Sequence, residues 1–96
     1  MKKEIRYFGE LAEKFKTLGH PIRLSIIHML CNCGCQKLQV KAIYEELNID
    51  QSSISRHLNI MRRSGILERI QEGNNTFYSL CSNDAHVNCV KKCFME

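Results

Sequence analysis

Between residues 51 and 65 the chain reads QSSISRHLNIMRRSG, and its outward positions carry hydrogen-bonding and cationic side chains in place of acids. Gln51, Ser52, Ser53 and Ser55 are short donors and acceptors that reach base edges, and Arg56 offers a planar guanidinium that fits guanine or phosphate. His57 lies in the same run, as a DNA contact or as a support for the helix, and Arg62 and Arg63 add positive charge at its end. Ile54, Leu58 and Met61 recur at i, i+4 and i+7, which gives one stripe to bury. Asp50 stands in front as an N-cap, an acceptor for the free amides of the first turn, and Gly65 can close the far end. A helix of this kind, preceded by a short helix and a tight turn, predicts the reading half of a helix-turn-helix.

The second chemical feature is sulfur: six cysteines in 96 residues. Cys31, Cys33 and Cys35 are spaced C-x-C-x-C around Gly34. A flexible loop with alternating thiols wraps a soft ion, and thiolates favour Zn(II), Cd(II), Cu(I) or As(III) over hard cations. Closely spaced thiols also oxidise or take up sulfane sulfur readily. Three small apolar fillers rarely alternate around polar and glycine positions, so the trio reads as ligating or reactive. Cys89 and Cys93, at i and i+4, put both sulfurs on one helix face. Cys81 alone reads as a small buried apolar residue. With Asp84 and His86 it makes a second rank of metal candidates. His20 and His28 read as structural.

These groups need a scaffold, and the chain supplies one. Residues 1–96 make a single domain whose core is modest at this length, so pairing with a second subunit is favoured. Helix periodicity covers about residues 3–18, with Ile5, Phe8, Leu11, Ala12, Phe15 and Leu18 on one face. That face is more apolar than a lone surface helix needs, which predicts a partner. Pro21 opens a second helix to about residue 30, at the first position where its missing N–H costs nothing. Residues 31–37 read as a loop, 40–47 as a third helix and 48–50 as the turn into the reading helix. Residues 66–70 and 76–80 have strand character around a Gly73-Asn74 turn signal, and 84–94 reads as a last helix.

The predicted fold is mainly α with a β-hairpin wing, in the order α-α-α-α-β-β-α: a winged helix-turn-helix. Arg69, Asn74 and Asn75 on the wing are placed for backbone or minor-groove contact. Formal net charge is +4, but its distribution says more, because Arg56, Arg62, Arg63 and Arg69 face only Glu68 within residues 51–69. Charge concentrated on one motif suits a phosphate-binding face. No apolar run is long enough to span a membrane and the N-terminus has no signal-peptide pattern, so a cytoplasmic protein is expected. No Ser-His-Asp set, phosphate-binding glycine loop or C-x-x-C at a helix start appears, which argues against an enzyme.

Ordered together, these pieces resemble the ArsR/SmtB family of winged-helix repressors. LGHPIRLSIIHML resembles the family's second helix, NIDQSSISRHLNIMRRSGIL its recognition segment, and ERIQEGNNTFYSL its wing. The resemblance implies a homodimer built on the first and last helices. It also implies double-stranded DNA with an inverted-repeat operator, and affinity set by a metal, a metalloid or a reactive sulfur species. The family's Cys-Val-Cys metalloid site aligns with Gln39, Val40 and Lys41, so its two thiolates are missing and Lys41 repels a cation. Asp84 and His86 resemble half of a zinc site seen on the last helix of some members.

The expectation is therefore a DNA-binding repressor, needing no cofactor to fold, whose operator affinity is tuned through Cys31, Cys33, Cys35, Cys89 and Cys93 by As(III), Cd(II) or Zn(II). A repressor that senses thiol redox state or reactive sulfur through the same cysteines is the alternative. Metal buffering without operator binding is the remoter one.

Overall fold

The computed structural model describes residues 5–33 and 36–81, together with Asn88 and Lys92. Four helices and three strands follow one another: α1 (Ile5–Leu18), α2 (Pro21–Asn32), β1 (Lys37–Gln39), α3 (Val40–Leu47), α4 (Gln51–Arg63), β2 (Leu67–Glu72) and β3 (Asn75–Leu80). The expected last helix, residues 84–94, lies outside the described residues apart from those two positions.

Each start and stop has a local cause. His20 caps α2, its Nδ1 accepting from the Ile22 amide at 3.2 Å, and Pro21 occupies the first turn. α3 ends at Asn48 in the left-handed region (φ 55°), where the Asn48 and Ile49 amides donate to the Glu45 and Tyr44 carbonyls. That reversal is the turn of the helix-turn-helix. After α4 the chain passes Ser64 and turns at Gly65, whose φ of +78° disfavours any side chain with a Cβ.

The core forms where the helices meet the sheet. Ile26, Ile27 and Leu30 of α2, Ile43 of α3, Ile54, Leu58 and Met61 of α4, and Ile66 and Leu67 beyond it are buried together. The stripe expected on the reading helix is therefore the inner face of α4.

The sheet corrects the expected order. β1 pairs antiparallel with β3, Leu38 opposite Tyr78, and β3 pairs with β2, Arg69 opposite Tyr78, giving the order β1-β3-β2. The residues expected to be loop up to 37 thus include a strand start, and α2 runs on through Cys31 to Asn32. Three residues carry too little alternation to announce a strand; the free edge of β3 makes it one. The hairpin is also longer than expected, with Glu72 and Asn75 paired and only Gly73 and Asn74 left to turn.

α1 is the other departure. Of its apolar face only Leu18 is buried, while Ile5 is 85% exposed and Phe8 and Phe15 are 50% exposed. Among the described residues the core buries only the C-terminal turn of this helix.

Candidate nucleic-acid interface

Asp50 organises the start of α4. Its carboxylate accepts from the Ser53 amide at 3.0 Å, from the Ser53 hydroxyl at 2.9 Å and from the Ser52 hydroxyl at 2.6 Å. These bonds, the Ser52 hydroxyl first, hold its pKa at about 2. Ser52 and Ser53 are thereby fixed in orientation, with their donor protons spent on the cap.

The sign of the pH effect follows. A carboxyl with a depressed folded pKa stabilises the fold above its unfolded value of about 3.9 and loses that contribution as pH falls through its folded value. The first turn of α4 is expected to fray as pH drops from about 4 towards 2. Amide chemical shifts of Ser52 and Ser53 followed down that range report it. Asp50→Asn, which caps without titrating, should remove the step.

Gln51, Ser55, Asn59 and Arg62 form a stripe at i, i+4, i+8 and i+11 that lines one wall of a groove of about 650 Å³. Arg69, Asn74, Asn75 and Thr76 of the wing line the opposite wall, and Gln39 and Lys41 lie at the start of α3. No carboxylate is among the lining residues, which include three cations. Arg62 is pre-set, its guanidinium donating to Asn59 Oδ1 at 2.9 Å. Asn59, Gln39, Lys41 and Thr76 did not stand out in the sequence as groove residues. Asn59 was open to detection as the next step of the Gln51–Ser55 spacing; the others come from distant segments.

The wing is braced. Thr76 Oγ1 donates to Gln71 Oε1 at 2.8 Å, and Gln71 Nε2 donates to the Gly73 carbonyl at 3.0 Å across the turn. Lys37 of β1 pairs with Glu72 and lies 4.6 Å above the Phe77 ring. Arg56 and Arg63 are exposed on α4 but do not line the groove.

His57 points elsewhere. It is half-buried and its Nδ1 accepts from Arg23 Nε at 3.2 Å, with the His20 ring 4.6 Å away. That geometry ties α4 to α2 through Arg23.

Of the sulfur candidates, Cys31 is half-buried against the core, and Cys33 caps α2 with its Sγ donating to the Leu30 carbonyl at 3.5 Å. Cys81 is half-buried and its amide donates to the Ile66 carbonyl at 3.0 Å. Cys35, Asp84, His86, Cys89 and Cys93 lie outside the described residues. Among the described residues no three His, Cys, Asp or Glu side chains converge to hold a metal. No helix among them is long and apolar enough to cross a membrane.

Comparison with known proteins fits this geometry. Residues 20–69 match the family model described as bacterial regulatory protein, arsR family. An uncharacterized HTH-type transcriptional regulator of Methanocaldococcus jannaschii is 39% identical over 71 residues, covering 74% of this chain and 78% of the relative. The arsenical resistance operon repressor of Bacillus subtilis is 34% identical over 76 residues, covering 79% and 69% respectively. Several other curated relatives are longer, and the matched stretch spans 60 to 62% of them. The crystal structure of the transcriptional repressor PagR of Bacillus anthracis superposes with a TM-score of 0.79 at 33% identity, covering 94% of this chain and 98% of that one. The chain belongs to the arsR family of bacterial regulatory proteins, and is a winged-helix, DNA-binding transcriptional regulator.

Proposed function

We propose that the protein is a homodimeric repressor that reads an inverted-repeat operator with α4 and the wing, and that thiol chemistry at Cys31, Cys33, Cys35, Cys89 and Cys93 sets its affinity. The observation that carries the DNA reading is the acid-free groove, with the Gln51–Ser55–Asn59–Arg62 stripe on one wall and Arg69 and Asn74 on the other. Gln51 and Ser55 are free to read base edges. Ser53, and Ser52 beside it, offer oxygen lone pairs there, because their protons go to Asp50. Arg62 and Arg63 hold phosphates, Arg56 presents its guanidinium to a guanine edge or a phosphate, and Arg69, Asn74 and Asn75 anchor the wing.

The dimer rests on α1. Ile5, Phe8 and Phe15 form a largely uncovered apolar face on a chain with a small core, and a second copy covers it. Two α4 helices then enter successive major grooves about 34 Å apart.

The effector reading rests on the sulfur count and on one relative's name, the arsenical resistance operon repressor. A soft metal or metalloid ion is the leading effector, and a reactive sulfur species acting on the same thiols is the alternative. The test is fluorescence anisotropy of the reduced, metal-free chain on DNA from its own promoter, with As(III), Cd(II), Zn(II) and a persulfide donor added separately. Release by one class identifies the signal. Tight binding indifferent to all four removes the cysteines from regulation. No binding by the reduced form overturns simple de-repression. Cys33→Ser is expected to leave DNA affinity unchanged and abolish the response; a surviving response removes the 31–35 trio as sensor.

A further inference from the structure

Three segments meet behind the recognition helix. Arg23 of α2 donates from Nε to His57 Nδ1 on α4 at 3.2 Å, and from Nη1 to the Thr17 carbonyl of α1 at 3.3 Å. Thr17 Oγ1 in turn lies 3.2 Å from the Ser64 hydroxyl at the end of α4. One guanidinium therefore ties α1, α2 and α4 together. Apart from that Thr17–Ser64 contact, the described residues that pack against the inner face of α4 are apolar side chains, which fix depth better than they fix rotation about the helix axis.

The tie depends on protonation. Nδ1 of His57 accepts, so the ring is neutral with its proton on Nε2. A second proton goes to Nδ1, where it meets the Arg23 N–H and turns a hydrogen bond into a clash of donors. The charged or titratable groups acting on His57 are His20, at the cap of α2, Arg23 of α2, and Arg56 of its own helix. Among the described residues no carboxylate is one of them, and neither α1, α3 nor β2 contributes a charge; α1 supplies the Thr17 carbonyl, which accepts from Arg23. Burial first, then these neighbours, pushes the His57 imidazole below its ordinary range.

We propose that the Arg23–His57 bond is the joint that orients α4 on DNA, and that it opens when His57 is protonated, so operator affinity falls towards acid pH. His57 is here a positioning residue. The inference rests on the reading of α4 as the DNA-contacting helix.

The sign makes it testable. Adding positive charge near DNA by itself strengthens binding, so a histidine acting only through charge raises affinity at low pH. Anisotropy of the full chain on its own promoter DNA, at constant ionic strength from about pH 8 to about pH 5, is the measurement. Wild type should weaken by about fivefold or more across that range. His57→Asn places an amide oxygen where Nδ1 stood and accepts from Arg23 without titrating. It should bind as wild type does at neutral pH and keep its affinity in acid. An equal fall in both proteins, no fall in wild type, or a fall matched by lost helicity in circular dichroism overturns the joint. In these cases neutral-pH binding survives and the DNA reading stands. Absence of binding at every pH overturns the DNA reading and the joint with it. Should His57→Asn not fold, imidazole nitrogen shifts of wild type decide. Nδ1 gaining its proton over the interval in which affinity falls supports the joint, and Nδ1 already protonated at neutral pH overturns it.

Discussion

Leu58→Ala is expected to lower the unfolding free energy by about 2–5 kcal/mol. Leu58 is fully buried on the inner face of α4, between Ile54 and Met61 in the chain and within the cluster that includes Ile26, Ile27 and Ile43. Truncation loses the transfer energy of the removed carbons and leaves a cavity that packed neighbours fill only in part. A domain of this size holds about 5–15 kcal/mol in all, so the loss is a large share. Urea unfolding should show a midpoint well below wild type at an unchanged slope. Leu58→Met, which conserves volume, should cost less than about 1.5 kcal/mol. A loss below about 1 kcal/mol for the alanine variant would show that α4 is not held by this core. The expected destabilisation also carries a functional penalty, because the same helix has the groove stripe on its other side.

The second large effect is expected on DNA. Arg56 is exposed one position after Ser55, near the start of α4, where a recognition helix meets base edges. Arg56→Ala should weaken operator binding by about 1–3 kcal/mol and narrow the gap between operator and unrelated DNA, if its guanidinium makes a bidentate contact to guanine. Arg62 sits a turn and a half further on, held by Asn59 at 2.9 Å beside the wing. Its loss should weaken all sequences alike and reduce the salt slope by about 1, the mark of a phosphate contact. Titrating both variants against operator and scrambled duplexes at several salt concentrations separates the two. A uniform loss for Arg56→Ala would move it to the phosphate set, and a sequence-dependent loss for Arg62→Ala would make it a base reader.

Both effects come from one helix, and its two faces were unequally visible. The inner face is written in local periodicity: Ile54, Leu58 and Met61 can share a side only if the segment is helical, and all three are buried. The His20 cap was read only as a structural histidine, but the Asp50 cap was equally legible, because it acts on an amide three residues away, and so was Pro21 in the first turn of α2. The same holds for the Gly73-Asn74 turn, where a left-handed residue is required at Gly73. The ArsR-like order of helices and wing was legible for the same reason, as a succession of local signals.

What depended on distant segments was not legible. β1 is a strand because the edge of β3, some 40 residues later, offers it partners, and Lys-Leu-Gln by itself states nothing. Asn59, Gln39 and Lys41 become one groove with the wing only after α3, α4 and the hairpin are packed. The bond from Arg23 to His57, 34 residues later, was likewise not written in either local segment. The sequence by itself determined the first four helices, the hairpin, the Asp50 cap, the buried stripe and the family, since each rests on interactions within a few residues or on their order. Only the tertiary structure decided which polar side chains share the groove, which are spent on internal bonds, and that Ile5, Phe8 and Phe15 of α1 stay largely exposed, because those depend on contacts that local periodicity does not encode.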